Sequence, residues 1–573
     1  MAEPVEWRAD GTPFSPRFQD RYRSEDGGLA QAREVFVAGC GLPQAWRGAA
    51  RWCVLETGFG LGLNFLATWK AWRDDPDRPA TLHYVATEAW PADADDVRRN
   101  AQVDPGFDDL GRQLADAWWG LDAGTHRLSL DGGRVLLTLL VGDSAEALRG
   151  LGRWADSVYL DGFSPDRNPD MWRAETLRAV ARCCRPGARL STWTVARTVR
   201  DGLTAAGFSV RKVEGVPPKR HNLQAELVHL PARHVALPDR APGRCVVAGA
   251  GLAGAAAARS LALRGWRATV FDPANSPASG ASGVPAGLFA PHVSADDAVL
   301  SRLSRAGVRS LCATADELLE RSVDWDISGV TQIREGQLPV FHRQAGWMRP
   351  AALVRAMLAT PGVTVRYGEA LDLAAIEAET LVIIATGHAS GLQLGYGLTL
   401  QPVAGQVSYG PTDDAPAVDG PWNGHGHFLP RVPDHSGANF WLTGASFERD
   451  SAAVVVPDGE LETHRAGNRQ RLAELLPLLE PALPTMFTAA SDWRGVRGTS
   501  PDRLPIVGPW PDDTSRVWAC TALGARGITM AVLCAEILAA RLHGEPMPVD
   551  AGLVKAVGTK RIVRRIARKT GNA

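Results

Sequence analysis

The sequence lacks the features that mark membrane-inserted, secreted or broadly basic proteins. Its 573 residues contain no uninterrupted apolar run of about 20 residues, the length needed to cross a bilayer. The first residues, MAEPVEW, are acidic and lack the apolar segment of a signal peptide. Lys and Arg number 62 against 63 Asp and Glu, so the formal net charge of -1 gives no overall attraction to nucleic acid. We therefore expect a cytoplasmic protein without membrane contact, in which a local basic patch must bind any polyanion.

Cysteine is also scarce, and its spacing carries no signal for a metal site or a disulfide framework. The eight cysteines form no C-x-x-C pair and no cluster with histidine. Because structural zinc sites and disulfide frameworks both depend on such spacings, we expect free thiols, a reducing compartment and no metal. The cysteines are Cys40, Cys53, Cys183, Cys184, Cys245, Cys312, Cys520 and Cys534.

Length and composition predict a globular protein of more than one domain. Apolar residues make up 45% and charged residues 22% of the chain, which is typical of folded soluble proteins. At about 150 residues per domain, the chain should hold several folding units or two large ones. A proline-rich stretch without apolar periodicity, residues 231–243, indicates a boundary. We predict a first domain over residues 1–232, a linker over 233–243 and a second domain over 244–573.

Short apolar runs alternate with helical stretches in the first domain. This alternation predicts a Rossmann-like α/β fold with a mostly parallel, doubly wound sheet that binds ligands at the carboxyl ends of its strands. The runs interpreted as strands are residues 52–56, 83–88, 135–143, 157–161, 189–194, 208–213 and 225–230.

A glycine-rich turn follows the first of these strands and carries an acid, where a phosphate-binding turn usually has a lysine or free helix N–H groups. The turn contains Glu56, Gly58, Gly60 and Gly62. A carboxylate there suits a cation such as the amino group or sulfonium of S-adenosylmethionine. Two later strand ends also carry acids, Glu88 for ribose hydroxyls and Asp143 for an adenine amino group. Three acids at three successive strand ends favour a methyltransferase site over a dinucleotide site.

The fourth strand leads into an irregular loop, residues 161–172, that begins with Asp161. A primary ammonium has a pKa of about 10, as lysine does, and cannot attack a methyl group before it loses a proton. A carboxylate that holds and deprotonates an amine therefore has a clear task. We predict that Asp161 is this catalytic base.

A second glycine turn, with the pattern GxGxxG, opens the second domain and indicates a dinucleotide site. It follows an apolar strand, and an acid that ends the next strand is placed for a ribose. The motif alone leaves FAD and NAD open, but two later glycine-rich turns, the second opening a helix that ends near Leu542, favour FAD. The predicted FAD-binding residues are Gly249, Gly251, Gly254, Asp272, Ser282, Gly283, Gly524 and Gly527.

Arginines in the second domain are candidates for binding a substrate carboxylate, because a planar guanidinium can bind it in a bidentate manner. The candidates are Arg494, Arg497 and Arg526, each of which could equally be structural. His292 and His388, beside glycine-rich turns, are interpreted as packing or flavin-adjacent residues rather than bases.

Six motifs together resemble the bifunctional tRNA 5-methylaminomethyl-2-thiouridine biosynthesis enzymes of bacteria. They lie at residues 12–24, 56–66, 161–172, 444–450, 500–508 and 522–529, in the family's order and over nearly the whole chain. The resemblance implies a methyltransferase fused to an FAD-dependent oxidoreductase with an amine-oxidase-type α+β substrate subdomain. It further implies that the oxidoreductase removes the carboxymethyl group from 5-carboxymethylaminomethyluridine of tRNA and that the methyltransferase methylates the exposed amine.

The resemblance also assigns residues. It implies that Glu56 and the three glycines after it bind the methyl donor and that Asp161 is the loop aspartate. Lys219 and Arg220 match the family's basic segment and are candidate contacts to the tRNA anticodon loop. The basic tail, residues 560–569, is either another RNA contact or a solvated helix end.

Two other functions remain open at the level of sequence. One is an amino-acid oxidase of the glycine oxidase type fused to a small-molecule methyltransferase. The other is a tRNA-binding module whose cofactor sites are vestigial. The sequence does not fix the oligomeric state and is compatible with a monomer.

Overall fold

The computed structural model describes residues 3–23, 28–217, 219–230, 238–413, 415–434 and 436–570. The chain divides into two compact units: unit 1 is Met1–Ala241 with Ala540–Ala551, and unit 2 is Pro242–Ala539 with Gly552–Ala573. The linker prediction falls partly on residues 233–237, outside the described residues. Within the described part of the chain, no helix is both long enough and apolar enough to span a bilayer. All eight cysteines are buried free thiols.

Unit 1 is built on an eight-stranded sheet with the strand order β10-β11-β9-β8-β4-β5-β7-β6. Strands β4, β5, β7, β8 and β9 run parallel, whereas β6 and β11 are antiparallel to their neighbours. The mostly parallel sheet predicted from the alternating runs is confirmed. Its strands are β4 (Arg51–Thr57), β5 (Thr81–Glu88), β6 (Gly124–Leu130), β7 (Val135–Val141), β8 (Ala155–Leu160), β9 (Cys184–Thr192), β10 (Phe208–Glu214) and β11 (His221–Leu227). A small sheet precedes it, with β1 (Glu6–Trp7), β2 (Pro13–Ser15) and β3 (Asp20–Arg21).

Helices cover both faces of this sheet. Val54 packs into one apolar cluster, while its neighbours Cys53 and Leu55 pack into another, because successive side chains of a strand point to opposite faces. The helices are α1 (Gly28–Ala30), which continues as π-helical turns over Gln31–Val37, α2 (Leu63–Asp74), α3 (Ala94–Ala101), α4 (Asp108–Ala117), α5 (Ser144–Ala147), α6 (Ala174–Cys183) and α7 (Arg197–Ala205).

The segment Ala540–Ala551, distant in sequence, belongs to unit 1. Arg127 on β6 donates from Nη2 to the carbonyl oxygen of Pro546 at 2.7 Å. On β5, His83 Nε2 lies 3.5 Å from Oε2 of Glu545, and both side chains are buried. The core of unit 1 therefore includes residues from near the end of the chain, which the sequence did not indicate.

Unit 2 contains a six-stranded sheet with the order β19-β13-β12-β20-β28-β27, parallel except for β27. A mainly antiparallel sheet of eight strands has the order β17-β16-β22-β23-β24-β21-β25, with β26 paired to β21, and β14, β18 and β15 form a third sheet. The strands of unit 2 are β12 (Arg244–Ala248), β13 (Arg267–Asp272), β14 (Gly287–Phe289), β15 (Trp325–Asp326), β16 (Val330–Gln332), β17 (Val340–His342), β18 (Gly346–Met348), β19 (Val363–Tyr367), β20 (Leu381–Ile384), β21 (Gln401–Pro411), β22 (Trp422–Gly424), β23 (Gly426–Pro433), β24 (Asn439–Gly444), β25 (Glu448–Arg449), β26 (Ser491–Thr499), β27 (Ile506–Pro509) and β28 (Val517–Thr521).

The helices of unit 2 complete an α/β nucleotide-binding part and an α+β part, so the predicted fold class is confirmed. The helix expected to end near Leu542 is α14, which begins at Gly527. The helices are α8 (Leu252–Leu263), α9 (Val299–Leu318), α10 (Pro350–Leu358), α11 (Ser390–Leu394), α12 (Asp458–Leu475), α13 (Leu483–Thr488), α14 (Gly527–His543), α15 (Ala551–Val557) and α16 (Lys560–Thr570).

Candidate active sites

Two carboxylates meet at the carboxyl edge of the unit 1 sheet. Glu56 lies near the end of β4 and is 1% exposed, and Asp161 directly follows β8. Asn64 Nδ2 donates to Glu56 Oε1 at 2.8 Å and to Asp161 Oδ2 at 2.7 Å, so one amide group links both acids. Tyr84 also donates to Glu56 Oε2 at 2.9 Å. Burial raises the pKa of Glu56 well above its usual value, and the nearby Asp161 carboxylate raises it further.

The glycine turn between β4 and α2 passes directly beside this pair. Gly58 has a φ of 75°, and a Cβ there would lie 3.1 Å from the Asp161 carbonyl oxygen and 3.2 Å from Gly162 Cα. Its N–H donates to the carbonyl oxygen of Thr87 on β5 at 3.0 Å. Glycine is therefore needed here both for the left-handed backbone and for the close approach to the Asp161 loop.

The two other predicted acids have different surroundings. Glu88, the last residue of β5, accepts from the N–H of Gly60 at 2.8 Å, and burial raises its pKa to about 7. Asp143 caps α5 by accepting from the N–H of Glu146 at 3.0 Å and pairs with Arg173 at 2.9 Å. Glu88 thus contacts the glycine turn from the end of β5, whereas the carboxylate of Asp143 is bonded to a helix end and an arginine.

Asp161 is held by donors on both carboxylate oxygens. Its Oδ1 accepts from the N–H of Gly162 at 2.8 Å and from Trp193 Nε1 at 2.9 Å, while Oδ2 accepts from Asn64. Burial raises the pKa of Asp161 to about 6, although these hydrogen bonds and the nearby Lys219 ammonium lower it. The group is therefore a fixed carboxylate whose pKa of about 6 leaves it mostly ionised at neutral pH, the state in which it can accept a proton.

The N-terminal segment forms one wall of the same site. Tyr22 packs against Gly60, where a Cβ would lie 3.2 Å from its ring. Phe18 stacks on Phe163 of the Asp161 loop with ring centroids 4.7 Å apart, and Asp20 accepts from the N–H of Ser164 at 3.0 Å. These contacts hold the Asp161 loop on its outer side.

Asn64 and Trp193, whose N–H groups fix the two carboxylates, were not predicted from the sequence. Trp193 follows β9 directly, so the strand-end rule that found the acids could also have found it. Lys219, predicted as a tRNA contact, lies with Nζ 3.2 Å from the centroid of the Trp193 ring, whereas Arg220 is exposed.

In unit 2 the GxGxxG turn has the close contacts that a dinucleotide site needs. A Cβ on Gly254 would lie 1.9 Å from the Gly249 carbonyl oxygen, so only glycine lets α8 start this close to β12. Leu252 donates its N–H to Ser282 Oγ at 3.0 Å, and Asp272 Oδ2 accepts from the Ala250 N–H at 2.7 Å. The turn after β13 and the turn before α8 are therefore joined, as residues that surround one pyrophosphate should be.

Strand β26 runs from the turn that contains Gly283 to the turn before α14 that contains Gly524. Trp493 Nε1 would lie 3.8 Å from a Cβ on Gly283, and Thr499 Oγ1 would lie 3.6 Å from a Cβ on Gly524. Arg497 lies between these two points, stacked on Phe447 with its guanidinium carbon 4.5 Å from the ring centroid. It is partly buried, approaches no acid in the described part of the chain, and has a pKa that burial lowers.

Arg526, in the 3₁₀ turn before α14, is also partly buried, and burial together with the charge of Arg503 lowers its pKa. Among the described residues, neither Arg526 nor Arg497 has a carboxylate within ion-pair distance. His292 bonds through Nδ1 to Ser301 at 3.0 Å, and burial and Arg526 lower its pKa, while His388 is exposed.

Arg494 has a different environment from the other two arginines. It is 8% exposed, forms a bidentate ion pair with Glu448 and donates from Nε to the Ala453 carbonyl oxygen at 2.9 Å. Its guanidinium is thus already bound to an acid, so the prediction that it is available to a substrate is wrong. Glu448, Glu460 and His464 also form a group with the spacing of metal ligands, but Arg494 supplies its positive charge.

Comparison with known proteins assigns both units. A family model for S-adenosyl-L-methionine-dependent methyltransferases matches residues 105–228, and one for FAD-dependent oxidoreductases matches residues 244–341 and 332–541. The tRNA 5-methylaminomethyl-2-thiouridine biosynthesis bifunctional protein MnmC of Polaromonas naphthalenivorans is 48% identical over 96% of this chain and 97% of its own. The protein of the same name from Delftia acidovorans is 46% identical over 99% and 100%. The chain belongs to this family.

Membership fixes the two cofactor types as S-adenosyl-L-methionine and FAD, and the chain is a bifunctional enzyme of that family. The residues present fit both molecules, because acids line the first glycine turn and the second leaves no room for side chains. Among solved structures, glycine oxidase from Geobacillus kaustophilus is similar to this chain with a TM-score of 0.45 and 19% identity, over 54% of this chain and 98% of its own.

Proposed function

We propose that the protein modifies the wobble uridine of tRNA in two steps. Unit 2 removes the carboxymethyl group from 5-carboxymethylaminomethyl-(2-thio)uridine, and unit 1 methylates the exposed amine to give 5-methylaminomethyl-(2-thio)uridine. The relatives' names support the substrate. The observation that carries the chemistry is the pair of linked carboxylates, Glu56 and Asp161, beside the glycine turn. The proposed domain bounds are 1–232 and 244–573, except that residues 540–551 return to the first unit. The linker between them and a cytosolic location also belong to this proposal.

In unit 1, Asp161 binds the ammonium of the acceptor and takes its proton. When bound, S-adenosyl-L-methionine supplies a methyl group on a positively charged sulfur. Asn64 keeps Asp161 and Glu56 in fixed positions, so that one acid faces the acceptor and the other the donor's charged amino group. Glu88, which contacts the glycine turn, is placed to bind the ribose hydroxyls of the donor. Gly58, Gly60 and Gly62 allow the donor to approach the backbone. Asp143 is proposed to contact the adenine, for which it would have to exchange its bond to Arg173. Much of the rate comes from holding the reacting atoms in line.

In unit 2, Arg497 and Arg526 bind the carboxylate that is removed. Both are partly buried cations without an acidic partner in the described part of the chain, so a substrate carboxylate supplies the missing counter-charge. When bound, FAD would supply the hydride acceptor for oxidation of the carbon next to the secondary amine, and hydrolysis of the oxidised substrate would release glyoxylate and leave a primary amine. That amine is the acceptor of the first site. The residues proposed to hold FAD are Gly249, Gly251, Gly254, Asp272, Ser282, Gly283, Gly524 and Gly527.

Two exposed basic surfaces are proposed to contact RNA phosphates. Arg220 is exposed on the loop between β10 and β11. Helix α16 packs its apolar side, with Ile562 buried, into the core of unit 2 and exposes Arg564, Arg565 and Arg568. The side chain of Lys569, in the same basic tail, lies outside the described residues. Phosphate contacts of this kind position an RNA without reading its sequence.

The proposal is tested by incubating the purified protein with tRNA that carries the carboxymethylaminomethyl group, with and without S-adenosyl-L-methionine. Nucleosides are then analysed by mass spectrometry. We expect the aminomethyl nucleoside without the donor and the methylaminomethyl nucleoside with it. An unchanged starting nucleoside in both reactions would refute the proposal.

The same preparation tests the other functions. Rapid oxidation of free glycine or sarcosine without turnover of tRNA would instead indicate an amino-acid oxidase. A colourless protein that binds tRNA but neither cofactor would indicate a binding module.

A further inference from the structure

One side chain of the protein already places a primary ammonium in the unit 1 site. Lys219 Nζ lies 3.2 Å from the centroid of the Trp193 ring. This is well within the distance of about 6 Å at which an aromatic face attracts a cation. The partly buried Lys219 ammonium also interacts with the carboxylates of Asp161 and Asp20, and burial lowers its pKa to about 8.

The same indole ring is bonded to the proposed base. Trp193 Nε1 donates to Asp161 Oδ1 at 2.9 Å, so the ring is oriented by the carboxylate that receives the proton. A cation over the ring is therefore close enough to that carboxylate to interact with it electrostatically, as the Lys219 ammonium does. Trp193 thus offers its edge to Asp161 and its face to a positive charge.

We propose that the face of Trp193 is the subsite for the ammonium of the methyl acceptor and that Lys219 occupies this subsite until the acceptor displaces it. This inference rests on the proposed function, since the acceptor there ends in a methylene group bearing a primary ammonium. The lysine side chain ends in the same group. The end of the Lys219 side chain thus matches the aminomethyl group of the acceptor in charge, size and hydrogen-bonding capacity.

Displacement follows from the space available. A second ammonium group on the same ring face would lie against the Lys219 ammonium, and like charges in contact repel each other. Lys219 belongs to the loop between β10 and β11 that also carries the exposed Arg220. When the acceptor enters, the Lys219 ammonium moves away from the ring toward this exposed part of the loop.

The displacement can be observed directly, because the chain has only six lysines. In the deuterated full-length protein with lysine ¹³C-labelled at Cε, the Lys219 signal should be shifted upfield by the ring current of Trp193. Lys219→Met assigns the signal by removing it, and Trp193→Leu should return it to the ordinary lysine position. Saturation with aminomethyl-containing tRNA should also return it to that position. A Lys219 signal that stays upfield at saturation would overturn the proposal.

Kinetics with the same acceptor provide a second test. Loss of the ring in Trp193→Leu should raise the KM for the acceptor about 3- to 30-fold, the range expected for a cation–aromatic contact. Trp193→Phe keeps a ring but, like Trp193→Leu, loses the N–H to Asp161, so it should raise KM less than Trp193→Leu and lower kcat by a similar factor. Equal effects of both variants on KM would contradict a role for the ring face.

Lys219→Met should lower the KM measured with the isolated aminomethyl nucleoside, because the competing cation is gone. A raised KM for this phosphate-free acceptor would overturn the proposed competition. The outcome is separate from that of the proposed function. If the unaltered protein methylates tRNA while the Lys219 signal does not move, only the subsite is wrong, whereas no methylation at all would reject the proposed function.

Discussion

At the scale of single residues, the proposed base Asp161 should control the methylation step. Asp161→Asn keeps a side chain of the same size that can accept from Trp193 and Gly162, but it cannot take a proton. General base catalysis contributes about 100- to 10,000-fold, and we expect a loss of methylation in that range. Oxidation in unit 2 should be unchanged, so mass spectrometry of the nucleosides should show the aminomethyl product accumulating with the donor present. Asp166→Asn, an exposed acid of the same loop, is the control, and loss of both steps in Asp161→Asn would indicate misfolding.

The raised pKa of Asp161 predicts a pH profile. The base works only when ionised, and with a pKa of about 6 its ionised fraction falls on acidification. The single-turnover rate of methylation should therefore be about half its plateau value near pH 6 and about tenfold below the plateau at pH 5. The residual rate of Asp161→Asn should lack this inflection. An inflection near pH 4 would show that burial does not raise the pKa of Asp161.

Arg497 should act on substrate binding and not on the flavin. Arg497→Met keeps the aliphatic contact with Phe447 but removes the cation. Hydrogen bonds to a charged group contribute about 1.5–3 kcal/mol, so we expect the half-saturating tRNA concentration for anaerobic flavin reduction to rise at least about tenfold. The flavin content should match that of Arg449→Met, an exposed control. Loss of flavin in Arg497→Met would show that the arginine has a structural role.

These residues also show what the sequence could indicate. Glu56, Glu88 and Asp161 were found because strand ends of a parallel sheet share one edge. Asn64 and Trp193 were missed because only the folded chain brings their donors to the carboxylates. Arg494 was misjudged since its partner, Glu448, lies 46 residues away.

At the scale of elements, the strands of unit 1 with continuous apolar runs were predicted, whereas β6 was not. Its sequence, GTHRLSL, has polar side chains, and it pairs only along one edge with β7. Strand β11 begins at His221, earlier than the apolar run at residue 225, because pairing with β10 extends it. Local hydrophobicity thus marks buried strands and misses those whose place depends on pairing.

The glycine turn gives a prediction at this scale. Gly58→Ala adds a Cβ 3.1 Å from the Asp161 carbonyl oxygen, so the turn and the Asp161 loop must separate. Gly48→Ala is a matched control, since its φ of 77° imposes the same left-handed strain with no atom within 4 Å of the added Cβ. Both variants should lose about 1–2 kcal/mol of stability from strain, but only Gly58→Ala should lose binding of S-adenosyl-L-methionine in calorimetry. Equal binding by both variants would contradict the close approach.

At the scale of the whole molecule, the organisation into two nucleotide-binding parts followed from two glycine turns and a proline-rich stretch. The sequence did not predict that Ala540–Ala551 belongs to unit 1, because no local pattern marks the return of the chain to that unit. Such long-range packing becomes visible only when contacts are known, here those of Arg127 with Pro546 and of His83 with Glu545.

This packing predicts that a fragment cut after Ala241 is incomplete. It would lose the bond from Arg127 to Pro546, that from Arg51 Nη2 to the His543 carbonyl oxygen at 2.8 Å, and the buried neighbour of His83. Each buried polar group left without its partner costs about 1–3 kcal/mol, so the fragment should melt on the order of 10 °C below one in which residues 540–551 are fused to its end. A fused segment of the same composition in scrambled order is the control, and scanning calorimetry is the measurement. If all three fragments melted together, residues 540–551 would contribute nothing to unit 1, and the methyltransferase would be complete in the first 241 residues.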